Sequence, residues 1–456
     1  MKDKPKYIEI YEDISRKIND GIYLPNEKIP SKRELAINLN TSLNTVINAY
    51  NLLIDEGYIY TVSKKGYFVS DQIKLDLKAP EVKYKKDNII LPLYDFTTKN
   101  VHKFDNDNYK KIIKEILYSD EYLNKTPFQG DYNLRVAITN HLKINRGINA
   151  SPDQIYITNG IESLRNIFRI LDIDNITLEN PGYHRLAKIA SNLGMKVNYQ
   201  DLDDEGIIIP NKRTIIYSTP FNQFPTGIKM SISRKKELIK FINDTDSYLI
   251  EDDFDAEFRI KDSPKSPLFN LDSKRVIFFS TFSETLYPGL RLSYFILPYH
   301  LKSLYDTHYS GYSNNVPTLE QIIVRDFINK GFYVKHINKR KKEYLEKRNI
   351  IIDYLNKNNI KCNPDLNYLS IIAKIDINNE DKFISDLKDM RVEIDLMNKY
   401  DINKKSPNQL IIGYTSITND KIIEGLNILI DIIKKNKWRF KIVIFSLVDW
   451  IIDEIL

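Results

Sequence analysis

Between Tyr94 and about Lys437 the chain alternates helical patterns with short β-rich runs, at Ile155–Thr158, Ile176–Glu179, Thr214–Ser218, Tyr248–Glu251 and Val276–Ser280. Runs of four to six apolar residues separated by helical stretches predict an α/β fold, a mostly parallel sheet wrapped by helices. From about residue 300 the pattern changes. Long charged helices, one of them Lys/Arg-rich around His336–Arg348, lead to short strands near Leu369–Lys374 and Leu410–Thr415. This predicts a smaller C-terminal α+β subdomain, and the charges of the Lys/Arg-rich helix read as a solvated face.

Composition narrows the function classes only slightly. The chain of 456 residues carries 67 Lys+Arg and 61 Asp+Glu, a net +6, which is an ordinary solvated surface rather than a uniformly basic one. One cysteine, Cys362, excludes an intramolecular disulfide framework and any multi-Cys metal site. The six histidines show no metal-ligand spacing, so no metal is expected. The start of the chain runs into charged helical sequence without a signal-peptide-like segment, so a cytoplasmic location is expected. The apolar tail 438–456 carries Arg439, Lys441, Asp449, Asp453 and Glu454; it reads as a packed or amphipathic segment, and no membrane span is expected.

The first 71 residues have a different grammar. Tyr7, Ile10, Tyr11, Ile14 and Ile18 recur at helical spacing and Gly21 is placed to end the helix. Ser31 followed three residues later by Glu34 is a capping box, and Ser42 starts another helix with Leu43, Val46, Tyr50, Leu53 and Ile54 on one stripe, ending at Gly57. Tyr58–Val62 and Tyr67–Ser70 alternate as strands around Ser63–Gly66. Helix, helix, turn, helix, hairpin is a winged helix-turn-helix. In that architecture Ser42, Asn44, Thr45 and Asn48 face base edges, Ser31, Lys32 and Arg33 a phosphate, and Lys64, Lys65 and Gly66 form the wing tip, with Lys28 beside them. Residues 1–71 contain ten Lys+Arg and ten Asp+Glu, and the helix from Ser42 to Ile54 has no basic residue, which predicts modest non-specific affinity for double-stranded DNA. The Lys-rich, non-periodic stretch 72–92 reads as a linker, followed by the large domain over 93–437.

Ile29-Pro-Ser-Lys-Arg-Glu-Leu-Ala, Leu43-Asn-Thr-Val-Ile-Asn-Ala-Tyr and Glu56-Gly-Tyr-Ile-Tyr resemble the GntR-type winged helix. Leu43 stands where that family usually has a DNA-contacting arginine. In the large domain, Phe128-Gln-Gly-Asp, Ile157-Thr-Asn-Gly, Glu179-Asn-Pro-Gly-Tyr-His-Arg, Asn222-Gln-Phe-Pro-Thr-Gly, the carboxylate run Glu251–Asp255 and Ser280–Arg291 occur in one order. Together with the winged helix they resemble the MocR-type regulators, a GntR winged helix fused to a fold type I, pyridoxal-phosphate-type aminotransferase domain. The resemblance implies that Asp252 pairs with a pyridine nitrogen and Tyr183 stacks on the ring. It further implies that Asn159, Gly160, Thr281 and Ser283 form a phosphate cup, and that Arg291 and Arg185 lie near the phosphate and the substrate entrance. Asn222 belongs to the same set, and Phe254 replaces the tyrosine commonly facing the cofactor. A head-to-tail homodimer on paired half-sites, with each DNA-binding domain over the partner's large domain, is implied as well, as is a small-molecule effector.

Glu284 occupies the position where the resemblance expects the lysine that holds pyridoxal phosphate as a Schiff base. A carboxylate cannot form an imine, and no lysine lies between Lys274 and Lys302. Covalent attachment and lysine-dependent transamination are therefore not expected. Three readings remain open: a pocket that pairs Glu284 with the amine of pyridoxamine phosphate, a dimerising scaffold whose cofactor chemistry has decayed, and weak non-covalent binding of pyridoxal phosphate or another small phosphate. A pyridoxal-phosphate-dependent aminotransferase carrying a DNA-binding extension is the rival from another class, and Glu284 argues against it.

Overall fold

The computed structural model describes residues 5–71, 91–97, 104, 106–258, 266–363 and 369–437. Most of the expected linker and the whole apolar tail lie outside the described residues. The chain divides into two compact units, residues 1–89 and 90–456.

In the first unit α1 (Lys6–Asn19) precedes β1 (Lys28–Ile29), α2 (Lys32–Asn38), α3 (Leu43–Asp55) and the hairpin β2 (Ile59–Val62) and β3 (Gly66–Val69). Side chains close both helix starts. Ser31 Oγ accepts from the Glu34 amide at 3.2 Å while the Glu34 carboxylate accepts from the Ser31 amide at 3.3 Å, and Ser42 Oγ accepts from the Thr45 amide at 3.1 Å. The apolar stripe of α3, with Val46, Ala49, Tyr50 and Leu53 fully buried, packs on Ile10, Ile14 and Ile18 of α1. Tyr50 has its ring edge-on to Tyr67 and its hydroxyl donating to the Pro30 carbonyl at 2.7 Å. One strand escaped the sequence reading. The two-residue β1 pairs antiparallel with β3, aligning Lys28 with Phe68.

The second unit is built on an eight-stranded sheet. Its strands are β5 (Ile155–Thr158), β6 (Asn175–Asn180), β7 (Lys196–Asp203), β8 (Gly206–Ile207), β9 (Ile215–Ser218), β10 (Tyr248–Asp252), β11 (Val276–Thr281) and β12 (Ser293–Ile296), following β4 (Tyr94–Asp95), which belongs elsewhere. The order is β5-β12-β11-β10-β9-β6-β7-β8. Strands β11, β10, β9, β6 and β7 run parallel; β12 is antiparallel to both neighbours, as is β8 to β7. Along each central strand alternate residues enter opposite cores: Leu249 and Phe278 pack on one face, Tyr217, Ile250 and Ile277 on the other. Burial on both faces makes these strands continuous apolar runs.

A four-stranded sheet of β13 (Cys362–Asn363), β14 (Ser370–Lys374), β17 (Gln409–Gly413) and β16 (Asp395–Leu396) forms the smaller part. Its companion is a two-stranded pair that joins distant sequence: β4 lies parallel to β15 (Val392–Glu393). The Lys/Arg-rich helix spans Phe332–Lys357. It is not a purely solvated face, because Lys347 is buried and its Nζ donates to the Ile417 carbonyl at 2.6 Å.

Candidate functional site

In the sheet, β5 runs in the same direction as β6, β9, β10 and β11, since β12 reverses twice between β11 and β5. All five strands therefore end on one edge. Asn159 and Gly160 follow β5, Tyr183 and Arg185 follow β6, Asn222 follows β9, Asp252 ends β10, and Thr281, Ser283 and Glu284 follow from the end of β11. The carboxyl edge is where α/β sheets collect ligands.

The register explains the first constellation. Tyr217 is aligned with Ile250, so Asp252, two residues on, emerges on the same face, and the Tyr217 hydroxyl donates to Asp252 Oδ2. The other oxygen, Oδ1, is buried without a hydrogen-bond partner among the described residues. Burial pushes the Asp252 carboxyl up to about 8; the Tyr217 hydrogen bond opposes this, while Asp253, Asp255 and Glu284 add to it. Glu284 keeps a partial opening to solvent but is otherwise surrounded by protein. Burial pushes its carboxyl up to about 7 against the pull of the Arg291 guanidinium. Asn222 donates to Asp255 at 2.6 Å, and Phe254 packs against the core.

The second constellation lies where the β11 loop meets the β5 loop. Ser283 Oγ is buried and without a partner among the described residues, its amide donating to Thr281 Oγ1 at 3.1 Å. Gly160 has φ +126°, and a Cβ there would lie 2.4 Å from Arg291 Nη2. Arg291 itself sits at φ +48°, a left-handed conformation that costs a non-glycine residue about 1 kcal/mol. Glu162 Oε2 meets the Arg291 Nη2 at 3.1 Å, and Glu162 Oε1 meets Arg185 Nη2 at 2.5 Å. A hydrogen bond with Tyr183 is the main reason the Arg185 pKa is raised, and the Tyr183 ring is partly exposed, edge-on to Phe224 at 6.3 Å. Sequence reasoning missed Tyr217 and Glu162. Tyr217 reads as one more strand residue, and nothing in the order of residues says that Glu162 touches side chains 23 and 129 positions away. His184 is half-buried with its ring edge-on to Tyr199, and burial lowers its pKa.

In the first unit Lys28, Arg33, Asn44, Asn48, Lys64 and Lys65 are exposed. Lys28 Cε would lie 3.1 Å from a Cβ on Gly66, and Lys32 Nζ sits over the Tyr67 ring at 5.0 Å, so the wing and the start of α2 share one basic face. Ser31 and Ser42 also serve as cap residues, and the Thr45 hydroxyl lies 2.7 Å from that of Ser42. Leu43 is 40% exposed at the first position of α3.

Two family models match this chain: "Bacterial regulatory proteins, gntR family" over residues 6–69 and "Aminotransferase class I and II" over residues 93–394. The chain belongs to the GntR-type transcriptional regulators that carry an aminotransferase-like domain. The HTH-type transcriptional regulator YdeL of Bacillus subtilis (strain 168), itself described as uncharacterized, is 33% identical over 77% of this chain and 79% of its own. The pyridoxine biosynthesis transcriptional regulator PdxR of Corynebacterium glutamicum is 28% identical over 76% of this chain and 78% of its own. The probable rhizopine catabolism regulatory protein MocR of Rhizobium meliloti is 26% identical over 77% of each chain. Among solved structures, an archaeal alanine:glyoxylate aminotransferase superposes with a TM-score of 0.69 at 20% identity, over 77% of the regulator and 92% of that chain. A Pyrococcus horikoshii kynurenine aminotransferase, solved with PMP, reaches 0.66 at 23% identity over 75% and 90%. These likenesses establish the mostly parallel, helix-wrapped fold of aminotransferases for the large domain, and the relatives, named as transcriptional regulators, support the regulator over an aminotransferase carrying a DNA-binding extension.

The site residues of the regulator fit a pyridoxal-type phosphate held without a covalent bond. Asp252 Oδ1 and Ser283 Oγ are buried polar atoms without a partner among the described residues, and each could accept or donate a hydrogen bond to such a group. The set contains no lysine, and Glu284 follows Ser283 in the β11 loop. Among the described residues no helix is long and apolar enough to cross a membrane, and no group of three His, Cys, Asp or Glu is placed to hold a metal.

Proposed function

We propose that this regulator is a cytoplasmic homodimer in which the winged helix binds an operator while the aminotransferase-like domain senses a vitamin B6 phosphate without Schiff-base chemistry, preferring pyridoxamine phosphate. The observation that carries the reading is Glu284, a carboxylate within the electrostatic reach of both Asp252 and Arg291. An ammonium group offsets that carboxylate's charge; an aldehyde does not. Asp252 would hold the ring nitrogen, Tyr183 would stack on the ring, Thr281, Ser283, Asn159, Gly160 and Arg291 would hold the phosphate, and Asn222 and Phe254 would line the wall. Such a cofactor supplies an electron-withdrawing ring with an aldehyde or amine; here that group serves recognition.

On the DNA side, Lys28, Lys32, Arg33, Lys64 and Lys65 would contact phosphates, and Asn44 and Asn48 would meet base edges. Leu43 offers thymine methyls an apolar surface in place of a basic side chain, which favours A·T-containing half-sites. Ligand binding changes operator affinity by its differential affinity for two placements of the heads.

The test is calorimetry of the full chain with pyridoxamine phosphate and pyridoxal phosphate, beside an absorbance scan. Tighter binding of the amine form without an imine band is expected. Equal affinities, or an imine band, overturn the assignment of Glu284.

A further inference from the structure

Glu162 is held between two arginines that come from separate segments. It sits in the short turn Ile161–Ser163 after β5, with one carboxylate oxygen on Arg185 and the other on Arg291. The proposed function gives Arg291 to the phosphate, and the family resemblance implies Arg185 near the substrate entrance. The carboxylate thus stands where two ligand anions would stand.

We infer that Glu162 is a built-in anion that closes the phosphate position of the pocket and must be displaced before an anionic ligand engages Arg291. The inference rests on the ligand reading above and adds the class of ligand group and the element that sets its threshold.

Three observations support it. First, the contact is exchangeable rather than structural. The side chains of Arg185, Arg291 and Glu162 are 55%, 51% and 34% exposed, so water screens the pairs and each is weak. The contrast is Arg146 with Asp253, whose side chains are only 5% and 2% exposed, a fixed part of the core. Second, the approach is specific. Arg291 reaches over Gly160 from a left-handed backbone, and a Cβ on Gly160 would lie 2.4 Å from its Nη2 and 2.9 Å from Glu162 Oε2. Third, the charge count favours exchange. Once Glu162 swings toward solvent, the two guanidinium groups face only the Glu284 carboxylate near Arg291, which leaves a net positive charge for an incoming phosphate dianion. The cost of releasing Glu162 raises the concentration at which the regulator responds.

The experiment titrates the full chain and its Glu162→Gln variant with inorganic phosphate, with pyridoxamine phosphate and with pyridoxamine, which lacks the phosphate. Glutamine keeps the shape and removes the charge at a partly exposed position. The expected result is phosphate and pyridoxamine phosphate binding tighter by about three- to tenfold, the size of two weak, partly screened ion pairs, with pyridoxamine unchanged. The gain should vanish in the Glu162→Gln/Arg291→Gln double variant. Phosphate binding that is equal, weaker or absent in both proteins overturns the inference. The two readings fail separately. If phosphate tightens but no vitamer binds either protein, the closing carboxylate stands and the vitamin B6 reading falls. If the phosphorylated vitamer binds both proteins equally, the reverse holds.

Discussion

The two units treat charge in opposite ways. In the winged helix Lys28, Arg33, Lys64 and Lys65 are exposed, on a scaffold closed by its own caps. At the carboxyl edge of the large sheet the charges answer one another: Tyr217 donates to Asp252, Asn222 to Asp255, and Glu162 holds Arg185 and Arg291. An open basic face is ready for a polyanion on contact. Arginines that are already paired take a new anion only when it replaces the existing partner, so selectivity at Arg185 and Arg291 is built from displacement.

The comparison breaks most easily through the scaffold of the first unit. Tyr50→Ala removes a fully buried ring and its bond to Pro30, and is expected to cost about 3–5 kcal/mol. Calorimetric melting should show the first unit unfolded and DNA binding lost, with ligand binding by the second retained. Glu284→Lys is next. It supplies a primary amine beside Asp252, and pyridoxal phosphate should bind at least about a hundredfold more tightly, with an imine absorbance band absent from the parent.

The pH dependence of stability sharpens the electrostatic side. Glu284 and Asp252 have folded pKa values of about 7 and about 8, above those of free carboxyls. Their protonated forms are favoured by folding, so this stabilisation is complete below about pH 4 and is lost as pH rises through 7 and 8. The large domain should lose stability across that window, and Glu284→Gln should flatten the profile by about 2 kcal/mol in chemical denaturation at pH 5 and pH 8.5. The smallest effect belongs to the wing. Lys64→Ala with Lys65→Ala should weaken operator binding about tenfold at moderate salt and reduce the log–log salt slope by about two, leaving base preference unchanged.

The first unit is nearly transparent in its sequence because its signals are local. Ser31 with Glu34, Ser42 with Thr45, and the Val46–Tyr50–Leu53 stripe specify helices within a few residues. The central strands are legible for the same reason. What stays hidden is whatever depends on distant partners. Strand β7 carries polar residues on a half-exposed edge and lacks an apolar run; β12 lies inside a stretch dominated by its Pro288–Gly289 turn and Arg291; β4 exists only because residues 94–95 meet residues 392–393. At the site, the residue types and their order were readable, since motifs are local, and Glu284 stood out by its own charge. The pairing of Glu162 was not.

Strand β4 has a mechanical meaning. The amide groups of Leu93 and Tyr94 donate to the Arg391 carbonyl at 2.9 and 3.2 Å, Phe96 donates to Glu393 at 2.8 Å, and the Gly413 amide donates to Phe96 at 2.7 Å. Gly425 is the foothold for the Phe96 ring, since a Cβ there would lie 2.8 Å from it. Among the described residues, the opening segment 93–96 of the large domain is thus riveted to the smaller sheet and not to the large one. Whatever displaces the smaller sheet therefore carries residues 93–96 with it, so a pairing of two-residue strands decides which part of the large domain its opening segment follows.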